Sequence, residues 1–145
     1  EAFKLSTSKK AYFSARFKLS DATQSDMLLG LTITDTTAID GVSDGVFFGK
    51  DDGDTNLDFV VEKDSTETED AGIHTMVDDT FVTASFFIDP DRSAIYYSIN
   101  NATPVKVANT NLPDNEELTV TLASQAGAAA AKSLSVDYVS AIVER

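Results

Sequence analysis

Apolar and polar residues alternate along most of this chain. In "AYFSARFKL", Phe13, Ala15, Phe17 and Leu19 share one face, and Tyr12, Ser14, Arg16 and Lys18 the other. "MLLGLTIT" aligns Met27, Leu29, Leu31 and Ile33, and "LDFVVEK" sets Leu57, Phe59 and Val61 opposite Asp58 and Glu62. "FVTASFFI" aligns Val82, Ala84, Phe86 and Ile88; "AIYYSI" aligns Ile95, Tyr97 and Ile99; "ELTVTLAS" aligns Leu118, Val120 and Leu122. The last run, "SLSVDYVSAIV", puts Leu134, Val136, Tyr138 and Ile142 on one side. A period of two predicts strands with one face on a core.

Turn-forming clusters separate the runs: "DGVSDG" at 40–45, "DDGD" at 51–54, "DPDR" at 89–92, "NNAT" at 100–103 and "LPDN" at 112–115. Short strands between such turns predict an all-β antiparallel sandwich. Only "QAGAAAAK", 125–132, reads as helical, a short bridge between strands. "DSTETEDAG", 64–72, reads as an acidic exposed loop. There is no internal repeat, and residues 1–145 are expected to form one domain.

The stretch "KDDGDTNLDF" crowds Asp51, Asp52, Asp54 and Asn56 around Gly53. An EF-hand loop starting at Asp52 requires Gly at position 6 and Glu at position 12; Leu57 and Lys63 stand there instead, so that motif fails. Asp-Gly between two apolar runs is a hairpin signal, because glycine accepts the positive φ of the turn. A solvated turn is one reading. A loose calcium site built on carbonyls with Asp51, Asp52 and Asp54 is the other.

Composition narrows the classes. The formal net charge of −13 repels nucleic acid and anionic membranes and suits a soluble protein at high salt. The absence of Cys removes a disulfide scaffold, a thiolate metal site and a Cys nucleophile. No apolar run reaches the roughly 20 residues of a membrane helix, and none reads as a signal peptide. With no initiator Met and Glu1 just before an apolar stretch, a processed chain or a piece of a longer one is expected.

Catalytic constellations do not emerge. Asp58 and Glu62 share a face, but four strand residues separate their Cα atoms by about 13 Å, beyond the roughly 5–9.5 Å of glycosidase pairs. Asp137 has no acidic same-face neighbour and is expected to accept hydrogen bonds. The single histidine, His74, reads as an exposed or edge-strand residue, and no G-x-S-x-G motif frames a serine. Sugar-stacking platforms need exposed aromatics, and the chain has four Tyr and no Trp. Tyr97 and Tyr138 alternate with apolar residues and read as core. Tyr12 and Tyr96 lie on polar faces and are the candidate ligand-binding residues.

"KKAYFSARFKLSD" resembles the opening strand of concanavalin A-like jelly rolls of the laminin G and glucanase type, and "AKSLSVDYVSAIVER" resembles their closing strand with its Asp-Tyr pair. Between them, "LLGLTITDTT", "DGVSDGVFFGKDDGDTNLDFVVEKDS" and "NLPDNEELTVTLASQAGAAAAKSLSVDYV" look like virion proteins of tailed marine bacteriophages. The resemblance implies a jelly-roll sandwich with a further strand before Glu1, of which "EAFKLS" is the remainder. The Glu-x-Asp-x-Glu strand of the glucanases is absent, and "DDGDTN" lacks the arrangement of a lectin metal site. Enzymatic activity is therefore not implied.

Two functions follow as expectations. The first is a non-enzymatic virion protein, a capsid decoration or head-associated component. It would bind the major capsid protein, other virion proteins or sister copies, as a homo-oligomer or in many copies per particle. The second is a secreted carbohydrate-binding module, with or without calcium. A glycoside hydrolase or lyase ranks behind both.

Overall fold

Seven of eleven strands correspond to the alternating runs in a computed structural model that describes residues 3–114 and 116–145, with the Arg92 side chain also outside the description. Glu1 and Ala2 of "EAFKLS" and Asn115 of "LPDN" thus lie outside the described residues. In chain order the strands are β1 (Phe3–Lys4), β2 (Ala11–Leu19), β3 (Ser25–Thr32), β4 (Gly45–Lys50), β5 (Asn56–Lys63) and β6 (Thr66–Thr75). They continue as β7 (Val82–Asp89), β8 (Ala94–Ile99), β9 (Val105–Ala108), β10 (Glu117–Ala126) and β11 (Leu134–Val143). One sheet has six strands in the order β1-β10-β3-β4-β5-β6; the other has five, β11-β2-β7-β8-β9. Every pairing is antiparallel.

The inward faces of the two sheets make one core. Phe13, Phe17 and Phe86 come from the five-stranded sheet and Phe48 and Phe59 from the six-stranded one, all fully buried. Phe86 meets both opposing rings, with centroids 6.2 Å from Phe48 and 5.9 Å from Phe59, and Phe59 lies 5.1 Å from Tyr97. Such offset and tilted contacts add about 0.5–1.5 kcal/mol per pair beyond the area buried.

A second apolar layer lies outside the six-stranded sheet. Leu28, Phe47 and Val60 point outward there and are buried with Val42, while Ala38 and Ile39 pack on the same cluster. Val42 and the 3-10 turn Ala38–Asp40 belong to the loop at 33–44, whose neck is closed by the Ile33 N–H donating to the Asp44 carbonyl (3.0 Å). This sheet is therefore roofed by its own chain. Among the described residues the five-stranded sheet has no such cover.

Three expectations need correction. Residues 125–132 form no helix: Gln125 and Ala126 end β10, paired with Asp26 and Ser25, and the following residues bend across to the other sheet. A run this short cannot nucleate a helix without tertiary support. The acidic segment is no loop. Asp64 and Ser65, at φ 51° and 57°, make a two-residue turn, and β6 runs from Thr66 as an exposed edge strand against β5. Finally, Tyr138 and Ile142 are not core but 43% and 61% exposed, and Leu122 and Val136, aligned with core residues by the same alternation, are also exposed. A bulge between Val136 and Tyr138 reverses the side-chain phase, so that Leu134, Val139, Ala141 and Val143 pack inward.

Candidate functional site

The hairpin reading of "KDDGDTNLDF" holds. β4 and β5 pair from Gly49–Asp58 onward, and Gly53 takes φ 90° in the turn. Among the described residues no group of three or more acidic or imidazole side chains is placed to hold a metal ion. Asp54 turns back to accept from the Asn56 N–H (2.7 Å). The Asp52 side chain lies against Gly127, where any Cβ would collide with it. The positive charge at this end of the sandwich is Lys50, 2% exposed, whose Nζ donates to the carbonyls of Ser25 (2.8 Å) and Asp51 (2.6 Å). Burial lowers its pKa, while Asp54, Asp26, Asp51 and Asp52 act in the opposite direction.

The other charged candidates behave as structural groups. Asp137 accepts from the Arg16 guanidinium at 2.7 Å, and that guanidinium lies 4.1 Å from the Phe81 ring centre. Asp58 accepts from the Gly72 N–H. Glu62 has its carboxyl pKa raised, by burial first and then by Glu67, its partner across β6. His74 lies on β6, the edge of its sheet.

The tyrosine candidates are brought together. Inward Ala11, Phe13 and Ala15 force Tyr12 outward on β2; inward Ile95 and Tyr97 do the same for Tyr96 on β8. Phe87 on β7 stands between them, paired with Tyr12 on one side and Tyr96 on the other. The three rings make one row across three adjacent strands on the unroofed face. Tyr12 is 39% exposed, and Phe87 and Tyr96 are half-buried. One register step along, Ser14, Ser85 and Ser98 form a parallel row of hydroxyls. A cavity of about 560 Å³ opens here, lined by side chains of Tyr12, Phe87, Tyr96, Ser85, Ser98 and Asp89, with Pro104 beside them. Its size and its mix of aromatic wall and sparse polar groups are those of a small-ligand site.

Phe87 was missed from sequence, although "FF" at 86–87 carried a signal. In a period-two strand, adjacent phenylalanines must face opposite ways, so one had to point outward.

No protein-family model matches the chain, and no curated protein matches it. Solved structures do. Sheep galectin-11, in complex with glycerol, superposes with a TM-score of 0.58 at 13% identity, over 98% of this chain and 95% of that one. Chicken galectin 2 gives 0.56 at 12% identity over 92% and 89%. A polysaccharide lyase of family 18 gives 0.59 at 12% identity over 95% and 73%. At such identities the likeness is one of fold. The chain is an all-β, concanavalin A-like jelly-roll sandwich.

Proposed function

We propose that this protein is a non-catalytic carbohydrate-binding module that works through the outer face of its five-stranded sheet. The observation that carries this reading is the row Tyr12–Phe87–Tyr96 beside the serine hydroxyls. Flat aromatic faces stack on the apolar C–H faces of sugar rings, the Ser85 hydroxyl supplies a donor or acceptor for ring hydroxyls, and Ser98, whose proton goes to the Ala102 carbonyl, and Asp89 supply acceptors. The fold neighbours support it: two are galectins, and one is named as a polysaccharide lyase. The ligand and the module meet outside the cell in this proposal, and the loop at 51–55 contributes no calcium ion. The virion role rests on sequence resemblance alone, and none of the three neighbours named above is a virion protein.

The test is a double variant. Tyr12→Ala with Tyr96→Ala is expected to abolish glycan binding on an immobilised-glycan array while the melting temperature stays within a few degrees. Both side chains are partly exposed and outside the core. Unchanged glycan binding by the double variant removes this face as the site.

A further inference from the structure

The aromatic row extends beyond the cavity. Tyr12 and Phe87 also line a second depression of about 220 Å³, which continues to Ile142 on β11. Ile142 is paired with Tyr12 and is 61% exposed. The row Ile142–Tyr12–Phe87–Tyr96 therefore crosses four adjacent strands. Three inter-strand gaps of 4.7–4.9 Å make it about 14 Å long, more than one sugar ring covers.

Its charged surroundings are sparse and mostly paired. Lys10, at the Ile142 end, bonds Asp91 at 3.1 Å, and its N–H donates to the Glu144 carboxylate at 3.1 Å. Asp89, among the described residues the one acidic side chain lining the larger cavity, accepts from the Asp91 N–H (3.1 Å). Lys106 stands opposite Tyr96 on β9, exposed and outside that lining. Further along β2, Arg16 and Lys18 are held by Asp137 and Asp79 at 2.7 and 2.9 Å. Among the described residues no cation lines the larger cavity, the smaller depression is lined by Lys10 together with Glu144, and the whole chain carries −13. A field of that sign raises the local concentration of neutral and cationic solutes relative to anions.

Resting on the proposed carbohydrate-binding role, we infer that the ligand is an extended glycan without acidic substituents, lying across the strands with successive rings on Tyr96, Phe87, Tyr12 and Ile142. Uronate and sulfated chains are excluded by charge, and single sugars bind weakly because they cover only part of the row.

The experiment is a glycan array carrying neutral glucan, xylan and mannan oligomers of graded length beside oligouronates and sulfated oligomers, read at low and high salt. The expected result is binding to a neutral series, stronger for longer oligomers than for the monosaccharide by on the order of tenfold or more. It should change little with salt. Ile142→Ser should weaken the longer oligomers and leave the short ones unchanged. Preference for an oligouronate or sulfated chain, weakening with salt, overturns this inference and leaves the carbohydrate-binding role standing. Equal affinity for monomer and longer oligomer overturns it as well. Binding to no glycan overturns the role itself.

Discussion

At Lys50, an ammonium with almost no exposure is held by two backbone carbonyls, and Asp54, Asp26, Asp51 and Asp52 favour its charge. Removing that charge leaves the Ser25 and Asp51 carbonyls without their donor, and Lys50→Met is expected to cost about 1–3 kcal/mol by denaturant melt. The same geometry predicts that neither chelator nor added calcium moves the melting temperature; an upward shift with calcium would show an ion in the hairpin. Tyr97 makes a second residue-level prediction. Burial and its 2.6 Å hydrogen bond to Asp70 push its hydroxyl pKa from 10.0 to about 12. The folded state holds this proton more tightly than the unfolded one. The stabilisation is complete below pH 10 and is lost as pH rises towards 12. Subtracting the stability profile of Tyr97→Phe from that of the wild type isolates this loss, and a flat difference across the window contradicts it. Tyr12 and Tyr96 were legible as outward residues because their strands alternate cleanly. The Lys50 role was not, because nothing in "VFFGK" says that the ammonium folds onto a carbonyl of β3 and the carbonyl of the turn residue that follows it.

Strands were legible where alternation runs unbroken over one buried face, since it then records burial directly, whereas four-residue β9, with Val107 alone buried, was too short to show it. β6 has little buried face to record: its side chains are mostly exposed, so its acidic sequence resembles a loop. The bridge at 127–133 links strands in different sheets, and the need for that crossing is a property of topology rather than local composition. β11 misleads in a third way. Asp137 is one extra residue, and alternation counted through it assigns Tyr138 and Ile142 to the wrong face. Deleting Asp137 would join Val136 directly to Tyr138 and restore a regular ladder with β2. The expected cost is small, about 1 kcal/mol or less, chiefly the exposed Arg16 ion pair. Deleting Ser140 instead would turn Ala141 and Val143 away from the core, and a much larger drop in melting temperature is expected. Equal effects of the two deletions would contradict the bulge account.

For the whole molecule, the two outer faces differ. One is closed by the loop at 33–44 over Leu28, Phe47 and Val60; the other presents aromatic rings and hydroxyls beside a cavity. The fold class was readable from period and punctuation, but which face stays open was not, because the roofing loop reads as an ordinary turn cluster. The most direct measurement is an amide NMR titration of the intact chain with the oligosaccharide that the array selects. The account predicts shifts concentrated at Tyr12, Ser85, Phe87, Tyr96 and Ser98. Shifts concentrated instead at Phe47, Val60 and residues 33–44, or no oligosaccharide to titrate, would contradict it.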